Sequence, residues 1–434
     1  MSEGSRIKEV YAREIMSGRG HPSVEATVIT ENGSIGVAEA TAGLSVGEHE
    51  VQFAYDGGDR YRGLGVLKAV KNVTDIVAPA LKGVDASRQW KVDEIMLELD
   101  GTPNKANLGG NTTASVSAAA LKAGAASLGI PLYQHIGGIN ACILPVPGVG
   151  ILNSLERYGG KPIHGDKPSY SFMAYGFDTF KEACYATWEI QSVYLKLIED
   201  RFNMKVVGSY RIVIPEGVVE HEREIWDVMT EAIEKSGHTD RMGIQVDVAA
   251  GTYYNKEREV FEYLFSREDK TRDDLIRLYH EMVKNYPFVI LEDPLDEDDF
   301  EGHAILTREL GIQVVGDDLF STNVDRLKQG MEVGACNSVL LKVNQVGSIS
   351  EAFYTVQMAY QKGYSVMPCP SRGEGADIAD YSVGINATTI RESSMGPTAN
   401  RLQQIEDELG SHAKFLGKEA LKSGSTVPQS LTDK

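Results

Sequence analysis

The chain has 434 residues, 42% of them hydrophobic, which is more than one core accommodates and enough to build two domains. A formal net charge of −19 argues against nucleic acid or an anionic membrane as partner, but not against a small anionic substrate held by local positive charge. Cys142, Cys184, Cys336 and Cys369 lack Cys-x-x-Cys spacing, the opening residues lack an apolar signal core, and no apolar run is long enough to span a bilayer; free thiols in a cytoplasmic protein are expected.

Alternating patterns predict strands over 7–13, 23–30 and 35–40, with Glu31-Asn32-Gly33 as a hairpin turn. Residues 41–62 read as a long glycine-containing loop, of the kind that is functional or mobile. Helical periodicity follows over 66–77, 85–99 and 111–128, the last with Asn111-Thr112-Thr113 as its N-cap. The segment Cys142 to Pro147 breaks the pattern and is expected to open a second domain. Beyond it, strand-like runs (171–175, 211–214, 243–248, 287–291, 312–315, 337–341 and 364–367) alternate with helices (183–201, 222–236, 273–285, 302–310, 323–333, 349–362 and 377–389). A last helix is expected over 398–410 and a disordered tail over 423–434. This βα rhythm predicts an α/β barrel whose strand C-termini share one mouth. The expected division is 1–141, 142–420 and the tail from 421 to 434.

Three acidic residues end three of those strand-like runs: Asp247, Glu292 and Asp317. Lys342 ends a fourth. Glu292, Asp317 and Lys342 follow one another at steps of 25 residues, the length of one βα unit. A single strand-end Asp is usually a helix cap or a turn former. Four charged residues in this regular pattern are harder to explain that way, because buried charge is costly unless paired or metal-bound. Three carboxylates at a barrel mouth suit a hard cation such as Mg²⁺. A lysine beside that cation is expected to have a lowered pKa and to serve as a base.

Several motifs resemble those of enolases. In the first half they are Ser17-Gly18-Arg19-Gly20-His21-Pro22, Arg62-Gly63-Leu64-Gly65, Leu108-Gly109-Gly110-Asn111 and Leu144-Pro145-Val146-Pro147. The second half matches more closely, through Asp247-Val248-Ala249-Ala250, Glu292-Asp293-Pro294, Gly316-Asp317-Asp318-Leu319 and Leu341-Lys342-Val343-Asn344-Gln345. The resemblance spans about 6–410 and implies an N-terminal α+β lid domain followed by a modified (β/α)₈ TIM-type barrel. It implies that Asp247, Glu292 and Asp317 hold a first Mg²⁺, that Ser45 serves a second, and that Lys342 is the general base. Glu216 falls where the family places the carboxyl that assists departure of hydroxide. A homodimer or higher homo-oligomer is also implied.

The surrounding residues depart from the family pattern. The loop after Leu-Pro-Val-Pro is longer, and His164 alone can replace its histidine. Tyr170-Ser171 stand for the usual Gln-Glu pair, and Pro215 for the Asp before Glu216. Cys369-Pro370-Ser371-Arg372-Gly373-Glu374 replaces Ser-His-Arg-Ser-Gly-Glu, and Arg391 replaces a lysine. Arg372, Ser371 and Arg391 are therefore the expected substrate-binding residues, a guanidinium being suited to phosphate or carboxylate, and His164 joins Lys342 and Glu216 as a catalytic candidate. His49 reads as a loop residue and Cys369 as a buried thiol.

Three functions compete on this reading. The first is Mg²⁺-dependent dehydration of 2-phosphoglycerate to phosphoenolpyruvate with altered specificity. The second is a paralogue acting on phosphoenolpyruvate or a phosphonate analogue, similar to carboxyphosphonoenolpyruvate synthase. The third is a non-catalytic enolase-like binding protein, against which the retained metal ligands and Lys342 argue.

Overall fold

The computed structural model describes residues 3–43, 46–152, 158, 167–204 and 214–423. Strands β1 (Ile7–Met16), β2 (Pro22–Thr30) and β3 (Ile35–Ala40) form an antiparallel sheet in the order β1-β2-β3. Gly33, at φ +83°, supplies the left-handed residue of the β2–β3 turn. The alanine-rich helix Gly110–Leu128 packs on this sheet. Contact is so close that a Cβ on Gly36 would lie 2.0 Å from the Ala119 carbonyl oxygen. That helix starts one residue earlier than expected, and Asn111 does not cap it. The Asn111 Oδ1 instead accepts from Ala54 N at 2.9 Å, tying down the long loop.

The second half forms one eight-stranded sheet. Its strands are β4 (Val146–Leu152), β5 (Ser169–Ala174), β6 (Met242–Asp247), β7 (Phe288–Glu292), β8 (Gln313–Gly316), β9 (Ser338–Leu341), β10 (Ser365–Pro368) and β11 (Thr389–Ile390). The order is β10-β9-β8-β7-β6-β5-β4-β11, and the end strands β10 and β11 lie side by side, so the sheet curls into a nearly closed barrel. All neighbours are parallel except β5, which runs antiparallel to both β4 and β6. Four of the barrel helices start on side-chain caps: Thr271 with Asp274 forms a capping box, and Asp299, Asn323 and Ser348 each accept a first-turn N–H.

Two barrel strands were not anticipated. β4 starts at the end of the proline-containing segment read as a boundary, and β11 begins at the residue to which a helix was expected to continue; that helix ends at Gly384. Both strands are short or glycine-rich, and neither alternates. The expected strand at 211–214 falls largely outside the described residues, as does the tail from 424. Among the described residues, no single helix is long and apolar enough to cross a membrane.

Candidate active site

The site grows from the strand ends. Asp247 closes β6, Glu292 closes β7, and the two stand opposite each other in register. Asp317 follows β8 directly and Lys342 follows β9. Because β5 runs backwards, its first residue, Ser169, is the register partner of Asp247. The reversal therefore delivers Ser169, and Lys167 before it, to the same mouth.

Asp247, Glu292 and Asp317 are 1%, 0% and 5% exposed, so their charge must be balanced locally. Three cations do this. Lys342 pairs with Asp317, Lys167 pairs with Asp247, and Arg391 bridges Asp247 and Glu292, with its Nη1 3.0 Å from Glu292 Oε1. Arg391 Nη2 also donates to Ser169 Oγ at 3.1 Å. The three cations line a cavity of about 600 Å³ at the mouth.

The donor chemistry fits a hard cation. Asp247, Glu292 and Asp317 end neighbouring strands at one mouth, and among the described residues Asp247 Oδ1 is buried with no hydrogen-bond partner. Asp293 competes on distance, since its carboxylate, Glu292 and Asp317 all lie within 4.8 Å of one another. Its oxygens, however, accept the N–H groups of Asp317 at 3.0 Å and Asp318 at 2.8 Å. Asp293 thus shapes the turn that presents Asp317, and Asp247 has the freer oxygen for a cation.

Burial and charge pull these groups in different directions. Burial disfavours the Asp317 carboxylate, but Lys342 beside it prevails and lowers its pKa to about 2. Burial also opposes the Lys342 charge, yet Asp317 holds its pKa above the ordinary lysine value. The expected lowering of Lys342 is therefore not found in the arrangement with its carboxylate partner alone. Lys167 shifts the other way, down to about 8, because burial is joined by the like charges of Arg391 and Lys342.

The lid contributes Glu50. Arg372 is 2% exposed, and both of its terminal nitrogens face the Glu50 carboxylate, at 2.7 and 2.5 Å. The same loop is tied to the barrel at Glu48 N, 3.2 Å from Glu297 Oε2, at His49 Nε2, 2.9 Å from Asp298 Oδ1, and at Val51 N, 3.0 Å from Gln345 O. The long loop is thus docked, and His49 serves that docking.

Of the expected residues, the structure brings together Asp247, Glu292, Asp317, Lys342, Arg391 and Ser371, the last on the cavity wall. Arg372 is also on the wall, but its guanidinium is taken up by Glu50. Glu216 is not at the mouth: it is exposed, 3.8 Å from Arg267, on a surface turn. Ser45 and His164 lie outside the described residues. Cys369 is buried on the cavity wall. Sequence reasoning missed Lys167 and Arg19. Lys167 precedes a strand whose reversal only the barrel reveals. Arg19 stood in view within the Ser17-Gly18-Arg19-Gly20 motif.

A small sheet docked over a barrel mouth, with acid–base groups at the strand ends, defines a lid-and-barrel protein built for acid–base chemistry on an anion. Comparison with known proteins narrows that class. The model of the enolase N-terminal domain matches residues 7–136, and that of the enolase C-terminal TIM barrel domain matches residues 141–424. The enolase of Methanopyrus kandleri is 41% identical over 94% of this chain and 97% of its own length. Those of Methanocaldococcus jannaschii and Thermococcus kodakarensis are 40% and 39% identical, each over 96% of this chain and 99% and 98% of their own. The chain belongs to the enolase family and is an enolase-type hydro-lyase.

Proposed function

We propose that this enzyme removes a proton from the carbon next to a substrate carboxylate and expels hydroxide from the neighbouring carbon. Its first candidate substrate is 2-phosphoglycerate, yielding phosphoenolpyruvate. The observation that carries the reading is the gathering of Asp247, Glu292, Asp317 and Lys342 at one mouth, with Lys342 on the cavity wall. Asp247, Glu292 and Asp317 are the residues to hold Mg²⁺. When bound, the cation supplies positive charge that stabilises the dianionic enolate.

The chain's own part follows from placement. Lys342 reaches the cavity from a strand end and receives the proton. It is held charged by Asp317 here, so it accepts a proton only when that carboxylate is otherwise engaged. Arg391 and Ser371 orient the anionic substrate, and Arg372 fixes the lid through Glu50. Glu216, out on the surface, is given no step. With all four cysteines free, a reducing cytoplasm suits the protein. Sequence supports a shifted specificity, with Pro370, Ser171 and Arg391 standing where enolases carry His, Glu and Lys; a phosphonate analogue is the second candidate substrate.

The test is turnover of 2-phosphoglycerate with Mg²⁺, with solvent deuterium wash-in at the α-carbon followed by NMR. Lys342→Ala should lose wash-in by about 10²- to 10⁴-fold while the Mg²⁺-induced rise in Tm persists. Exchange at the wild-type rate in that variant would show that another group takes the proton.

A further inference from the structure

Among the described residues, five cations line the cavity, Arg19, Lys167, Lys342, Arg372 and Arg391, against two carboxylates, Glu39 and Glu392. Four of the five are committed. Lys167, Lys342 and Arg391 hold the carboxylate cage, and Arg372 is clamped by Glu50. Arg19 differs. Among the described residues its guanidinium makes neither an ion pair nor a hydrogen bond; only its backbone N–H is engaged, with Ser17 Oγ at 3.3 Å. It is half-buried all the same. Burial and the like charges of Arg372 and Arg391 both disfavour its ionisation. A guanidinium desolvated beside other cations, and open to a cavity, is stabilised by an incoming anion.

We propose that Arg19 binds the phosphate or phosphonate oxyanion of the substrate, the role the sequence had suggested for Arg372. This rests on the reading above that the substrate is a phosphorylated carboxylate. The two ends of such a molecule then fall to different groups. Its carboxylate and α-carbon lie toward Lys342 and the cage, and its tetrahedral anion lies toward the lid-borne loop that carries Arg19. Moving Arg372 onto the anion would leave Glu50 buried without its partner, a cost that Arg19 does not incur.

The experiment uses the full chain with Arg19→Met, Arg19→Lys and Arg372→Lys. Each is assayed with 2-phosphoglycerate and Mg²⁺, and each is titrated calorimetrically with inorganic phosphate at fixed ionic strength. Arg19→Met should raise KM and weaken phosphate binding by about tenfold or more, with kcat less affected. Arg19→Lys should recover part of both, and Tm should stay at the wild-type value because no internal contact is lost. Arg372→Lys should lower Tm while binding phosphate within about threefold of wild type. If wild type does not turn over 2-phosphoglycerate, the reaction assigned above fails, and the phosphate titration still decides the role of Arg19. Loss of phosphate binding in Arg19→Met alone upholds it. Equal binding in Arg19→Met and wild type, loss confined to Arg372→Lys, or no binding by wild type overturns it.

Discussion

Asp317 and Asp318 are sequence neighbours driven in opposite directions. Lys342 overcomes burial and holds Asp317 down at about 2, whereas burial and the adjacent Asp317 push Asp318 up to about 7. An unfolded aspartate titrates near ~4, so between there and about pH 7 the folded protein binds a proton that the unfolded chain does not. The Asp318 contribution to stability should therefore rise as pH falls across that window in EDTA, opposed by His221, which burial lowers to about 4, and the Asp317 contribution should be lost below ~4 as its carboxylate is protonated. Burial raises Glu292 and Asp293 too, so Asp318→Asn should flatten the slope of Tm against pH without removing it. Identical slopes of Tm against pH in wild type and Asp318→Asn would contradict this.

The Glu50–Arg372 pair makes a second residue-scale case. Arg372→Met strands a buried carboxylate, which costs about 3–5 kcal/mol. Double replacement by Glu50→Leu and Arg372→Met removes both charges and should recover most of that loss. Urea unfolding of the two variants measures the difference; equal destabilisation would mean that the pair itself, and not the stranded charge, dominates.

At the scale of elements, the close seating of the Gly110–Leu128 helix on the lid sheet fixes β3 and hence the chain leading to Thr41. Thr41 N donates to Arg372 O at 3.1 Å, which couples that sheet to the cavity wall. Gly36→Ala places a methyl group against a carbonyl that cannot yield without moving the helix. A loss of about 1–3 kcal/mol is expected by denaturant unfolding, with weaker substrate binding as the sheet shifts. A variant as stable as wild type would show that helix and sheet separate freely. Element by element, sequence periodicity located the lid strands, the helices and β6 to β10 within a few residues. It failed at β4 and β11 because a strand of glycine and proline residues, or one only two residues long, has no alternation to read. It also gave no sign that β5 is reversed, since the pattern of a strand is the same in both directions.

For the whole molecule, the carboxylate cage should couple cation binding to folding. Mg²⁺ at about 100 times its Kd should stabilise the wild type by about 2.7 kcal/mol. Asp247→Ala should abolish that shift in Tm, and an unchanged shift would move the site to Asp293 with Glu292 and Asp317. The sequence alone determined the two-part architecture, the strand ends that carry Asp247, Glu292, Asp317 and Lys342, and the membership that those motifs imply. These are legible because strand-end chemistry is written in short runs of adjacent residues. Tertiary structure decided which charges remain free. That Lys167 enters the mouth depends on a reversed strand, that Arg372 is spent depends on a glutamate 322 residues away in the chain, and Arg19, among the described residues, is left without a side-chain partner. Pairing between distant residues sets those outcomes, and no local pattern in the chain encodes it.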